Sequence, residues 1–420
     1  MIGLYSKIRQ KITSALKWSE KYTQTDMLYL ARGGFWLSLG DIVASASAFI
    51  LAIAFANLIP KETYGTYKYI LSIAGLLGAI TLPGMGMAII RAAAQNHDKT
   101  FVPAVRTTVK WSLLGGLASI LVAGYYFYQH NNLLGASFLI IAAFIPFKDS
   151  LSLYQSFLEG KKLFNVSTLY RIADQIVTGA VLVLSILFSK NLFLILLAYF
   201  VPKVIVNLFF HLKTTKRVRP DSTEDPGAIS YGKHLSFLSV LADISGQIDK
   251  ILVWNRVGAA SLATYSFAVA PVVQTRSFLT NVGPLATPKL AQRGLEELKQ
   301  TLPRKLIIMF LALLAVVTVY ILAAPLLFKI LFSQYADSVL YSQLFALSLL
   351  FLPKNILANT ITLHAPQKYI YLFNISASLV RIGLLISLVF AFGVLGAVFA
   401  YLMTELYTSI LAIYLIFKKL

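Results

Sequence analysis

Apolar residues run along this chain in long blocks separated by short polar breaks, with no alternation of period two. A helix needs about 20 such residues to cross a bilayer. Twelve segments have that length, at roughly 34–59, 64–90, 104–128, 133–158, 168–188, 191–212, 232–256, 261–285, 304–332, 340–363, 367–391 and 394–417. The pattern predicts an all-α polytopic membrane protein with 12 transmembrane helices. Alternate connections are very short, such as His130-Asn131-Asn132 and Ser189-Lys190. The others are longer and basic. The longest, Lys213 to Tyr231, carries Lys213, Lys216, Arg217, Arg219, Pro220 and Pro226 and splits the chain six spans from six. The expected organisation is an N-terminal segment at 1–30, an N-lobe at 31–212, a linker at 213–231 and a C-lobe at 232–420.

Composition agrees with the blocks. Hydrophobic residues make up 58% of the chain and charged residues 13%, which a polytopic membrane protein needs and a soluble one does not. The net charge is +20. With the N-terminus placed in the cytoplasm, about 26 basic loop residues fall on the cytoplasmic side and about 4 outside. That asymmetry puts both termini in the cytoplasm. It explains the charge through orientation and anionic headgroups, and no nucleic-acid motif accompanies it. The absence of cysteine excludes disulfides, thiolate metal sites and cysteine nucleophiles. Residues 4–22 put Ile8, Ile12, Ala15 and Leu16 on one face among Lys7, Arg9, Lys11, Lys17 and Lys21, the pattern of an interfacial helix.

The halves repeat weakly. A shift of 198 residues matches Ser38 with Ser236, Ser47 with Ser245, Asn57 with Asn255, Thr66 with Thr264 and Tyr67 with Tyr265. An even number of spans per half makes the repeats parallel, related by an axis along the membrane normal. Breakers fall inside several spans, at Gly40, Pro83-Gly84, Pro146, Pro202, Pro271, Pro284, Pro325 and Pro353.

Charge within the spans is the candidate chemistry, because it is expensive there. The ionisable residues are Asp41, Lys148, Asp149, Asp174, Lys203, Asp243, Asp249, Lys250, Arg276, Lys354, Arg381 and Glu405. Asp41, Lys148, Lys203, Asp243, Arg276 and Lys354 all lie about 9 to 10 residues deep, roughly 15 Å, near the middle of a 30 Å core. Transporters place substrate and coupling-ion sites at that depth. Lys148, Lys203, Arg276 and Lys354 suggest a cationic cavity suited to phosphate or pyrophosphate. Asp41 shares a helical stripe with Ser38 and Ser45, and Asp243 another with Gly246, Gln247 and Lys250. These two carboxylates are the ion-coupling candidates, for H⁺ or Na⁺. The alternative for each is a buried acid neutralised by a nearby base. Arg381 and Glu405 lie at matching depth on consecutive spans and are expected to form a structural ion pair. Arg171 and Asp174 are expected to pair locally. Asp249 and Lys250 belong near the outer end of their span, where Lys250 can snorkel. Lys148 and Asp149 are adjacent and expected to point apart. Most tyrosines are expected at the membrane interfaces. No paired loop carboxylates, HExxH, P-loop or Gly-rich nucleotide motif is present, and no cofactor or metal is expected.

Several stretches carry a family resemblance. Asn57-Leu58-Ile59-Pro60-Lys61-Glu62-Thr63-Tyr64-Gly65-Thr66-Tyr67 is followed by Leu82-Pro83-Gly84-Met85-Gly86 and Arg91. Phe157-Leu158-Glu159-Gly160-Lys161-Lys162-Leu163-Phe164, Asp249-Lys250-Ile251 and Ala263-Thr264-Tyr265-Ser266 add to them. Together they resemble the polysaccharide or O-antigen flippases (Wzx type) of the MATE-like MOP exporter superfamily. The resemblance implies two pseudo-symmetric six-helix lobes around a central cavity. It also implies alternating-access export of an undecaprenyl-pyrophosphate-linked oligosaccharide across a bacterial or archaeal cytoplasmic membrane, with cation coupling. Expected partners are the lipid-linked oligosaccharide, membrane lipids and assembly proteins such as a polysaccharide polymerase, with no nucleic acid. Two other readings stay open. A MATE-type drug antiporter should have a more acidic cavity. A membrane enzyme of glycan assembly should have a large polar outer loop.

Overall fold

The computed structural model describes residues 27–219, 222–280 and 294–419. The amphipathic segment expected at 4–22 lies outside them, as does Pro284. The described chain is helical almost throughout. The first half holds α1 (Met27–Leu58), α2 (Lys61–Gly78), α3 (Met85–Ala94), α4 (Phe101–Tyr128), α5 (Asn132–Lys148), α6 (Tyr154–Gly160), α7 (Phe164–Phe188) and α8 (Leu192–Thr215). The second holds α9 (Ala228–Val257), α10 (Ala259–Thr280), α11 (Leu295–Leu331), α12 (Val339–Ala346), α13 (Lys354–His364) and α14 (Gln367–Tyr414).

Helix runs through each expected segment as far as it is described. By length and hydropathy, seven helices qualify as spans among the described residues, and up to eight if a pair bent by 42° before Lys354 counts as one. The rest fall short for physical reasons. Pro83 and Gly84 interrupt the second segment between α2 and α3, and α9 carries Asp243, Asp249 and Lys250 in its middle. The last two expected segments run on as α14, folded back at Gly393 with φ of 58°. Glycine enters that left-handed region without Cβ strain. A Cβ at Gly396 would then overlap the Leu388 carbonyl oxygen across the hairpin. The outer surface is apolar: Phe188 is 86% exposed, and Leu121 and Leu322 are each 75% exposed. Side chains of that size are stable there against lipid, not water, and the protein is multi-pass.

Within the first half α4 packs on α5, α1 on α7 and α7 on α8; within the second, α9 packs on α14 and α12 on α10 and α11. The helices α2 and α3 reach across. The helix α2 packs on α10 and α9 from Gly65, against Ala259, to Gly75, against Gln247, and α3 packs on α9. Glycines allow this close approach. A Cβ at Gly65 would overlap the Ala259 carbonyl oxygen, and one at Gly84 would lie 2.5 Å from the Ser236 nitrogen. Several of the 22 tyrosines pack inside. Tyr64, Tyr67, Tyr69, Tyr265 and Tyr335 are all buried in the main core, where Tyr69 stacks on Trp254 and Tyr64 meets Phe267. Their rings fill the junction between the halves.

Polar bonds tie both ends of the bundle. At the end carrying the linker, Ser222, Thr223 and Asp225 bond to Lys99, His97 and Thr100. Beside them Lys161 reaches the wholly buried Asp98 at 2.9 Å. Removing one partner of a buried pair typically costs about 3–5 kcal/mol, because the other charge stays buried alone. Lys161→Met is therefore expected to lower the thermal midpoint of the purified protein by many degrees. An unchanged midpoint would show that the pair contributes nothing. At the opposite end Lys61 meets Asp337 at 2.9 Å, Thr264 donates to the same carboxylate, and Asn57 donates to the Leu331 carbonyl. Asn57 also bonds the carbonyl four residues back, Ile53, as Asn255 bonds Ile251. The two asparagines matched by the repeat thus close their helices in the same way.

Candidate functional site

In the first half each membrane carboxylate has its own cation. Asp41 on α1 lies 3.1 Å from Arg171 on α7, whose guanidinium crosses the face left bare by Gly40. Asp174 on α7 lies 3.1 Å from Lys203 on α8 and accepts from Thr178 at 3.4 Å. The expected local pairing of Arg171 with Asp174 is thus replaced by bonds to neighbouring helices. Arg171 and Asp174 share a face of α7, but each meets a partner on another helix, α1 for Arg171 and α8 for Asp174. Lys148 and Asp149, expected to point apart, lie 3.3 Å from each other. The helix α5 ends at Lys148, two residues after Pro146, so the helical splay between neighbours no longer applies.

Lys148 and Asp149 open onto a cavity of 490 Å³ between α2, α4, the α5–α6 break and α9. Asp243, Gln247, Thr108 and Ser152 also line it. Asp243 accepts from Ser239 at 3.0 Å. The cavity therefore joins residues from both halves and has two carboxylates against one lysine. It brings the expected Lys148 and Asp243 together. Asp41 and Lys203 are not among its lining residues.

The second half is organised differently. Tyr401, Glu405 and Thr408 stand on one face of α14 at i, i+4 and i+7. Glu405 is 2.7 Å from Lys354 and 3.3 Å from Arg276. Lys354 opens α13 directly after Pro353, where the helix dipole disfavours a cation, so an opposing carboxylate is needed. Lys354 also donates to Thr408 at 2.6 Å, and Arg276 donates to the Tyr401 hydroxyl. The Tyr401 ring lies 5.9 Å from the Arg276 guanidinium and 5.2 Å from that of Arg381. Arg381 in turn lies 4.0 Å from Asp249, which accepts from Tyr265 at 2.8 Å and has Lys250 at 4.0 Å.

The expected Arg381–Glu405 pair is therefore corrected. Equal depth on antiparallel helices does not fix which way a side chain faces. Arg381 turns to α9, Glu405 to α10 and α13, and Tyr401 lies between the two arginines. Snorkelling by Lys250 beside Asp249 is likewise corrected. Asp249 is buried, and Lys250 donates inward to Gln247 at 3.1 Å. Of the four expected cavity cations, Arg276 and Lys354 converge on one carboxylate, while Lys148 and Lys203 each meet their own. Sequence reasoning missed Asp249 as a member of the cluster, although it stands beside the Asp243–Gly246–Gln247–Lys250 stripe. It also missed Lys68, which lies against the Tyr64 ring at 5.4 Å. The resulting cluster holds Lys250, Arg276, Lys354 and Arg381 against only Asp249 and Glu405.

Crossing helices in this order, tied across two halves, form a MATE-like fold. An inward-facing multidrug resistance MATE transporter superposes with a TM-score of 0.62 at 12% identity, covering 87% of this chain and 92% of that one. The lipid II flippase MurJ in an inward closed conformation superposes at 0.60 and 14% identity, covering 90% and 86%. The sequence profile of the polysaccharide biosynthesis protein family matches residues 30–292, and the chain belongs to that family. A Shigella flexneri protein named as an O-antigen transporter is 22% identical over 334 residues, 73% of this chain and 77% of its own. These relatives are transporters and flippases, not enzymes.

Proposed function

We propose that this protein flips an undecaprenyl-pyrophosphate-linked oligosaccharide across the cytoplasmic membrane by alternating access between its two halves. The observation that carries this reading is the cation excess around Asp249 and Glu405, deep in the second half. Glu405 stands 12 residues from the Gly393 turn, roughly 18 Å along the helix and so near mid-membrane. Arginine and lysine donors converging there suit a pyrophosphate. The flippase fold and the family membership support it. The basic loops place the linker end in the cytoplasm. A multidrug antiporter needs an acidic binding surface for its cations; the Asp243 cavity has that sign, and the second-half cluster has the opposite one. A deletion strain is expected to accumulate the lipid-linked repeat unit and lose surface glycan, both restored by the gene. A strain with neither defect rejects the reading.

The cavity beside Asp243 supports a cation-coupled cycle. Asp149 and Asp243 against Lys148 leave one carboxylate in excess, which fits one H⁺ or Na⁺. Asp41 is the weaker candidate, since Arg171 already neutralises it. Asp243→Asn is expected to remove the dependence of transport on the ion gradient while leaving cargo binding intact. Unchanged pH and Na⁺ dependence would count against Asp243.

A further inference from the structure

Two buried polar atoms in the second-half cluster have no hydrogen-bond partner: Asp249 Oδ1 and Arg381 Nε. Glu405 Oε2 lies 2.7 Å from the Lys354 ammonium. Buried polar atoms are nearly always paired, and an unmade bond on a charged group is costly. A cluster serving stability alone would match its charges, as the first half does with Asp41 and Arg171 and with Asp174 and Lys203. This one is over-cationic, and Arg381 Nε is a buried donor with no acceptor. A further anion balances the charge and accepts from that donor.

The arrangement also shows what occupies the anion position in its absence. Arg276 and Lys354 converge on the two oxygens of Glu405 much as such donors converge on a phosphate. Resting on the flippase reading above, we propose that Glu405 is a place-holding anion. It holds Arg276 and Lys354 in the empty transporter, yields them to a phosphate of the cargo, and reclaims them when the cargo leaves.

The local structure fits such an exchange. Arg276 and Arg381 keep 22% and 23% of their side chains exposed, so a phosphate can reach them before Glu405 moves. Lys354 keeps its bond to Thr408 when the carboxylate withdraws, and Arg276 keeps Tyr401. A pyrophosphate diester brings about two negative charges, which balances the excess of Lys250, Arg276, Lys354 and Arg381 over the two carboxylates. The competing carboxylate keeps cargo affinity moderate. Without it, the phosphate binds more tightly and departs more slowly, because an interaction that holds every state equally adds affinity but not turnover.

The test is made on the full-length protein in lipid nanodiscs with inorganic pyrophosphate as the probe. Glu405→Gln is expected to bind pyrophosphate about tenfold more tightly than the unaltered protein, while export in cells slows. Glu405→Asp keeps the charge but cannot span both cations, and is expected to fall between the two. A purely structural carboxylate predicts the reverse: lower thermal stability and equal or weaker binding. Equal or weaker binding by a folded Glu405→Gln overturns the proposal. If that variant does not fold, the same outcome for Glu405→Asp overturns it. Absence of pyrophosphate binding by every form also overturns it. The flippase reading is judged separately, by lipid-linked glycan in the deletion strain.

Discussion

Arg276→Ala and Lys354→Ala are each expected to abolish export of surface glycan while the protein still inserts and accumulates. Either change removes a donor to the cargo phosphate and also leaves Glu405 with a single cation in a buried site. Losing one charge-assisted donor to the phosphate costs about 1.5–3 kcal/mol, and each 1.4 kcal/mol is tenfold in an equilibrium, so binding falls by roughly tenfold to a hundredfold. Arg276→Lys keeps the charge but loses the planar fork and its stacking on Tyr401, so partial export is expected. Lys203→Ala is the informative contrast. It also strips a membrane carboxylate, Asp174, of its partner, so it tests whether damage to any buried pair suffices. Its thermal stability should fall while pyrophosphate binding remains. Surface glycan on gels, protein level in membranes and pyrophosphate binding together check the set. Normal export by both alanine variants would remove the cationic site from the mechanism.

The difference between Lys203 and Arg276 shows where sequence reading stopped. Both lie at one depth, and depth is legible because residue number converts to distance along a helix at a fixed rise. Block length and loop charge likewise made the all-α architecture and the central linker readable, and Pro83-Gly84 and Pro353 mark real helix breaks. The direction each side chain faces was not legible. An apolar helix in lipid has no polar stripe to say which face is inside, because lipid and protein interior are equally apolar. Hence Arg381 and Glu405, equal in depth, are expected to pair, whereas Arg381 meets Asp249 on α9 and Glu405 meets Arg276 on α10 and Lys354 on α13. Lys148 and Asp149 failed for the opposite reason. Ideal helical splay was applied where Pro146 and the end of α5 had already removed the helix.

Gly65→Ala is expected to shift the protein towards a form parted at the end away from the linker. The added Cβ overlaps the Ala259 carbonyl oxygen, and backbone of one half cannot yield to backbone of the other without the helices separating. Overpacking of this kind costs about 1–3 kcal/mol, which moves a two-state equilibrium by roughly tenfold to a hundredfold. Beside the glycine the buried Tyr64 ring packs on Phe267. The Lys61–Asp337 pair is partly exposed, and exposed pairs contribute about 1 kcal/mol or less. The Gly65 contact is the close backbone approach of this junction, so parting there is the opening an alternating-access cycle requires of a gate. The chain has no cysteine, so Glu62→Cys with Ala336→Cys gives a clean spin-label pair across the junction. In the Gly65→Ala background the long-distance population should grow at the expense of the short one, and glycan export should fall as the cycle loses its shut state. The expected loss is in turnover, since Arg276, Lys354 and Glu405 are untouched and pyrophosphate binding should persist. A distance distribution identical to that of the parent pair would mean that the α2–α10 contact does not gate.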